Sequence, residues 1–275
     1  MQLLRTCFTV RIVSERRDVR RRRADTQMPL HESEAIVLQS YPLGEADRLV
    51  SFLSRTMGRV RGVAAGARKP KSRFGSTLER LSYVRIWFFE RENRELVRIS
   101  QCEMIESFIS AFADYPSSVA LAIFSEVTEA ILPDREASDA NFRLLLLVSQ
   151  AVKRSLRPEL PLAYFVVWTV KLGGWLPAFS SCARCGRDIR SADRVYFSKG
   201  GSAVVCDSCR RPGMRVISKA ALPVIKRIVG ERLEKLQTEN IEANVASEIS
   251  NVMLDVIEAQ IDQKLKSREL LESPE

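Results

Sequence analysis

RTMGRVRGVAAGARKPKSRF, residues 55–74, carries seven cations, Arg55, Arg59, Arg61, Arg68, Lys69, Lys71 and Arg73, and no acidic residue. From Gly58 to Gly66, basic or small residues alternate with Val60, Val63 and Ala65, a pattern that predicts a strand with one apolar and one cationic face. Gly66 and Pro70 interrupt that strand, so Ala67–Phe74 is expected as a surface loop with its charges outward. A basic run of this kind is either a solvated face or a surface that follows a row of phosphates.

The charge balance favours the second reading. Residues 1–27 hold eight arginines against Glu15, Asp18 and Asp25, net +5, which leaves +4 of the chain's +9 for residues 28–275. Because residues 55–74 alone contribute +7, everything else after residue 27 sums to −3. A concentrated basic patch on a mildly acidic body is the electrostatic footprint of a nucleic-acid binder.

Strand patterns surround the basic stretch. Ala35–Ser40, Arg48–Leu53, Arg59–Gly66, Leu81–Glu90 and Glu95–Ile105 are rich in Val, Ile, Phe, Tyr and Trp, with turn signals at Pro42–Glu45, Met57–Gly58, the basic loop and Arg91–Arg94. Five antiparallel strands left flat would expose two edges, so a small closed barrel of the oligonucleotide-binding (OB) type is expected, with the cationic third strand and its loop on the nucleic-acid face. Phe74, Tyr83, Trp87, Phe88 and Phe89 are candidates to stack on bases. Residues 87–89 are consecutive and cannot all face one way, and Phe74, beside the loop, is the favoured stacker.

After Pro116 the period becomes helical, with Ala120, Ile123, Phe124, Val127 and Ile131 on one face and a stop at Pro133. Ser138–Leu156, Leu160–Leu172, Lys219–Leu236 and Ile241–Leu265 are expected as further apolar helices. Between them, Cys182-Ala-Arg-Cys185 and Cys206-Asp-Ser-Cys209 form two C-x2-C pairs separated by 20 residues. Strand-like Arg194–Ser198 and Ser202–Val205 flank Lys199-Gly200-Gly201, the hairpin that would let four thiolates converge on a structural Zn2+, as in a zinc ribbon. The alternatives are a thiol-redox pair or a site filled only under some conditions.

The expected class is therefore α+β: a five-stranded OB-fold barrel followed by a helical domain with a four-cysteine zinc-ribbon insertion. Residues 28–110 form the first domain, 111–275 the second, and 180–212 the insertion. Residues 1–27 are a disordered basic leader, or the chain properly starts at Met28. Cys7, within them, has no assigned role.

Several classes are disfavoured. No apolar run approaches the roughly 18 residues of a membrane span, and cysteines paired for metal point to a reducing, cytoplasmic setting. His31 is the only histidine and is expected to be exposed, so neither a Ser-His nor a Cys-His pair is available. Gly58-Arg-Val-Arg-Gly62 lacks the ending and context of a phosphate loop. Glu45, Asp47, Glu90, Glu103 and Glu106 show no spacing that gathers magnesium. Neither an enzyme nor a small-molecule substrate is expected.

GRVRGVAAGARKPKSRFG at residues 58–75, the opening EAIVLQSYPLGEADRLVSFLS, the four cysteines and the closing Lys264-Leu-Lys-Ser-Arg-Glu269 together resemble the RecO family of bacterial recombination mediators over residues 30–270. The resemblance implies a non-enzymatic protein that binds single- and double-stranded DNA and anneals complementary strands. It further implies two partners, RecR and the C-terminal tail of single-stranded DNA-binding protein, and the loading of RecA at gaps and breaks. On this resemblance the DNA-contacting role falls on Arg59, Arg61, Arg68, Lys69, Lys71 and Arg73. The zinc role falls on Cys182, Cys185, Cys206 and Cys209, and the location is bacterial, cytoplasmic and nucleoid-associated. Members of the family begin near the equivalent of Glu32, which strengthens the reading of Met28 as the start. An RNA-binding translation or ribosome-associated factor would share the barrel, ribbon and loop, and a magnesium nuclease is the enzymatic alternative.

Overall fold

The computed structural model describes residues 29–90, 94–198, 200 and 203–272. The leader with Cys7, Met28, Arg91–Asn93 of one expected turn, and Lys199, Gly201 and Ser202 of the ribbon turn lie outside them.

Five strands, β1 (Leu30–Leu43), β2 (Asp47–Ser54), β3 (Gly58–Ala64), β4 (Tyr83–Phe89) and β5 (Val97–Glu106), close a barrel in the order β1-β2-β3-β5-β4. All pairings are antiparallel except β3 with β5. β1 starts at Leu30 rather than at Ala35 because it serves two neighbours. Its first half pairs with β4 and its second with β2, and a register shift between Val37 and Gln39 marks the bend. Within this extension Leu30 and Glu32 are exposed and Ser33 is buried.

The faces of β3 differ from the expectation. Val60, Gly62 and Ala64 point into the barrel, while Val63 shares the outer face with Arg59 and Arg61. Strand alternation requires this, since residues 60 and 63 are an odd number apart. Gly62 makes the closure possible: a Cβ there would sit 2.7 Å from Val97 Cγ2 on β5.

Ala35 and Val37 of β1 fill the barrel, whereas Ile36 and Leu38 join the helical core outside it. The continuous apolar run Ala35–Leu38 is thus buried on both faces.

Against that wall pack α1 (Tyr115–Ile131), α2 (Asp139–Ser155) and α3 (Glu159–Leu172). The Asp114 carboxylate accepts the Ser117 N–H at the start of α1, and Ser138 caps α2. α3 is apolar on nearly all sides because neighbours surround it. The ribbon follows as β6 (Arg194–Phe197), β7 (Val204–Val205) and β8 (Arg215–Ser218), in the order β7-β6-β8. Ile189, Val195, Phe197, Val204 and Ile217 of this segment share one core with the helices.

The single helix expected over Lys219–Leu236 is two, α4 (Ala221–Gly230) and α5 (Leu233–Gln237). Gly230, a weak helix former, ends the first, and Glu231 and Arg232 are extended. α6 (Ala243–Ile261) and the short α7 (Glu269–Glu272) complete the chain. Among the described residues no helix is long and apolar enough to cross a membrane.

Between α6 and α7 the segment Lys264–Arg268 is tied down by three carboxylates, of which Glu258 is buried. Glu258 accepts from Lys264 Nζ at 2.6 Å, Leu265 N at 3.0 Å and Arg268 Nη1 at 2.9 Å. Arg268 also meets Asp255 at 2.7 Å, and Glu126 of α1 accepts the N–H groups of Lys266 and Ser267. The motif Lys264-Leu-Lys-Ser-Arg-Glu269 is thereby a clasp between the chain end, α6 and α1.

Candidate nucleic-acid interface and metal centre

The basic loop projects from the barrel on a fixed base. Gly66 adopts φ +73°, and its N–H donates to Asp47 Oδ1 at 2.8 Å. Arg68 N–H donates to Ala46 O at 2.9 Å, and Arg68 Nη1 to Gly44 O at 2.7 Å, which ties the loop to the β1–β2 turn. Beyond the exposed cations the chain turns back, and Phe74 and Leu78 enter the barrel core.

The expected stacker is therefore a plug. Phe74 is 1% exposed, although Arg73 lies over its ring at 4.8 Å. Phe88 is equally internal, and Tyr83 packs edge-on to Phe142 of α2. Trp87 and Phe89 are half-buried on the outer face of β4. His31 is not freely exposed: its ring stacks on Phe88 at 5.3 Å, and Nε2 lies 3.3 Å from a Glu90 carboxylate oxygen.

The seven cations of residues 55–74 fall into two groups. Arg55 bridges Glu34 at 2.9 Å and Asp139 at 3.0 Å. Arg59, 20% exposed at its side chain, faces Asp134 at 2.9 Å and Glu129 at 3.5 Å, and donates to the Glu129 carbonyl. Arg61 faces Asp134 at 3.1 Å and Glu95 at 3.9 Å. The stretch lacks acids in sequence, yet the fold supplies them from β1, α1, the loop after it, the start of α2 and the β4–β5 turn. Arg68, Lys69, Lys71 and Arg73 are all exposed and have no carboxylate partner among the described residues.

Sequence reasoning missed a neighbouring feature. Arg94 and Arg98, both exposed, line an outer hollow of about 550 Å³ with Val63, Ala65 and Leu96, beside the short β3–β5 pairing. Alternation along β5 places Arg98 outward, but only the closed barrel brings it beside β3.

The second site is built by the ribbon. Cys182, Cys185, Cys206 and Cys209 are brought together with all four Sγ atoms within 4.8 Å of one another. Cys185 and Cys206 Sγ are 3.7 Å apart, and the Cys206 N–H donates to Cys182 Sγ. A tetrahedron of Zn–S bonds has edges of about 3.8 Å, so the donor set matches a divalent ion in size and kind. Burial opposes ionisation of Cys182, but the Cys206, Cys185 and Arg184 N–H groups outweigh it and lower the thiol to about 6. Burial and the neighbouring sulfurs push Cys209 up to about 12. Four thiols so crowded cannot all ionise without a cation among them. Among the described residues this is the only cluster of three or more potential metal ligands. Cys102, by contrast, is an isolated barrel-core thiol that burial raises to about 11.

The chain matches the family models "Recombination protein O N terminal" over residues 28–108 and "Recombination protein O C terminal" over residues 113–269. A protein of Koribacter versatilis named DNA repair protein RecO is 35% identical over 249 residues, 88% of this chain and 98% of that protein. The protein of the same name from Bifidobacterium adolescentis is 29% identical, covering 89% and 100% of the two chains. That from Streptomyces avermitilis is 36% identical over 72% and 82%.

Proposed function

The chain belongs to the RecO family, whose role lies in DNA repair and recombination, and from that premise we propose that it is a non-catalytic recombination mediator that binds DNA and anneals complementary strands. It takes both single- and double-stranded DNA and works with RecR and with the C-terminal tail of single-stranded DNA-binding protein, so that RecA is loaded on the coated strand. Residues 28–110 hold the nucleic acid and residues 111–275 hold the protein partners, in the bacterial cytoplasm where the chromosome lies. Cys182, Cys185, Cys206 and Cys209 hold a structural Zn2+, whose chemistry is to fix the ribbon; four sulfurs leave no open position for substrate.

One observation supports this reading most directly. Arg68, Lys69, Lys71 and Arg73 stand exposed, with no carboxylate partner among the described residues, on a loop whose two ends are fixed in the barrel. Annealing needs a surface that screens phosphate repulsion between two strands while leaving base edges free to pair. A loop of exposed cations not neutralised by neighbouring carboxylates does this without reading sequence. Arg59 and Arg61 enter the same surface only by exchanging carboxylates for phosphates, so they rank behind the loop four.

The test is the salt dependence of binding to single-stranded DNA, with Arg68, Lys69, Lys71 and Arg73 replaced together by Gln in the full chain. The logarithmic salt slope is expected to become shallower by about 3, near 0.7 for each lost phosphate contact. An unchanged slope removes the loop from the interface. Preference for structured RNA over single-stranded DNA in competition would instead favour an RNA-binding factor.

A further inference from the structure

Residues 182–215 contain eight Lys and Arg but only Asp188, Asp193 and Asp207 as acids, a net charge of +5. Each of those acids is already engaged. Asp188 accepts from Arg190 at 2.5 Å, Asp193 from Lys219 at 2.7 Å, and Asp207 from the Tyr196 hydroxyl at 2.8 Å with Arg210 at 3.6 Å. Arg184, Arg187 and Arg211 are exposed and have no carboxylate partner among the described residues, and exposed Arg194 has only the field of adjacent Asp193, which already accepts from Lys219.

The fold also gathers three of them. Arg184, Arg187 and Arg211 each stand within two residues of a cysteine, and the four sulfurs lie within 4.8 Å. Arg187 Nη1 donates to Ser208 Oγ at 3.4 Å, which joins the first cysteine turn to the second. A divalent ion held by four thiolates carries a net charge of −2, which nearby cations offset in part. The arginines exceed that need. Every one of the four is Arg, whose planar fork of N–H donors matches phosphate oxygens.

We propose that the ribbon presents a second phosphate-binding surface, for a second polynucleotide strand, built on Arg184, Arg187 and Arg211 of the cysteine turns with Arg194 of β6. This rests on the nucleic-acid reading above and extends it. A mediator that pairs two strands must hold one near the other, and a single loop on the barrel provides for one. The ribbon shares its core with the helices rather than with the barrel interior, so the two surfaces belong to different parts of one body.

The test uses the full chain bound to a bead-tethered strand, with capture of a second, non-complementary labelled strand as the readout. A variant with Arg184→Gln, Arg187→Gln, Arg194→Gln and Arg211→Gln is expected to keep first-strand binding and lose second-strand capture at least five-fold. Metal content and thermal midpoint report whether the ribbon is intact. If that variant loses its metal, the pair Arg184→Gln and Arg211→Gln, whose side chains have no hydrogen-bonded partner among the described residues, takes its place, with at least a two-fold loss expected. Undiminished capture by the intact variant overturns the proposal alone, as does a parent that binds the first strand but captures no second. A parent that binds neither strand overturns the nucleic-acid reading with it. Displacement of the second strand by poly-glutamate in preference to polynucleotide assigns the surface to an acidic protein and also overturns the proposal.

Discussion

Gly58 faces the backbone of Glu136 so closely that a Cβ at position 58 would lie 1.9 Å from the Glu136 carbonyl oxygen. The same segment continues the contact, with Asp134 bridged to Arg59 and Arg135 N–H donating to Arg59 O at 2.8 Å. Gly58 is also left-handed, at φ +70°. Gly58→Ala is therefore expected to destabilise the protein by about 2 kcal/mol or more, strain and clash together. Urea unfolding measures this, and an unshifted midpoint would show that the segment after α1 gives way freely.

Phe74 is buried in the barrel core, so Phe74→Ala should cost about 3–5 kcal/mol, as for other large core deletions. If Phe74 stacked on bases, the substitution would weaken DNA binding while leaving the thermal midpoint in place. The expected result is the reverse at temperatures where the variant is still folded.

Glu34 is held below its ordinary carboxylate value, chiefly by its hydrogen bond to Arg55, against the opposing effect of burial. A depressed folded-state value contributes stability above the ordinary carboxylate range and loses it as pH falls through the lowered value. Acid titration of stability should therefore be shallower between about pH 5 and 3 in Glu34→Gln than in the parent. Identical acid limbs would deny Glu34 a share in joining the barrel to α2.

Removing the metal should loosen more than the ribbon. Cys182, Cys206, Val204 and Ile217 belong to the core that also contains α3 and α6. Chelation is expected to release one ion per chain, lower the thermal midpoint and expose the amides of α6 to hydrogen exchange. Release of no ion, or of one without change in α6, would contradict that coupling.

Arg268 is 8% exposed at its side chain and Glu258 5%, so Arg268→Ala leaves a buried carboxylate with Lys264 as its remaining ion-pair partner. Breaking one half of such a pair costs about 3–5 kcal/mol. Replacing both, as Arg268→Met with Glu258→Leu, should recover much of the loss, and a denaturant series on the three proteins measures it.

The barrel was legible from residues 34–108 because its strands alternate and its turns carry Gly and Pro. The ribbon was legible because four cysteines at that spacing have few other uses. What escaped the sequence depends on contacts between distant segments. The first strand was expected to begin at Ala35, yet pairing with β4 extends it back to Leu30. Phe74 looked like part of a surface loop, but the loop folds back and buries it. Arg55, Arg59 and Arg61 resembled Arg68 and Arg73 in every local respect. Only the fold, which brings up Glu34, Glu129, Asp134 and Asp139, separates the cations paired with carboxylates from those that meet none among the described residues. The third ribbon strand, β8, was missed because Arg215–Ser218 is too short to show a period.

The clasp at Lys264–Arg268 has a consequence for synthesis. Glu126 and Glu258 are translated before the groups that satisfy them, and Glu126 precedes Ser267 by 141 residues. A nascent chain cannot finish its helical core until Arg268 has cleared the ribosome. A transcript cut short just before codon 264 would yield a protein with nearly every residue in hand and two carboxylates stranded, a ready substrate for the cell's proteases.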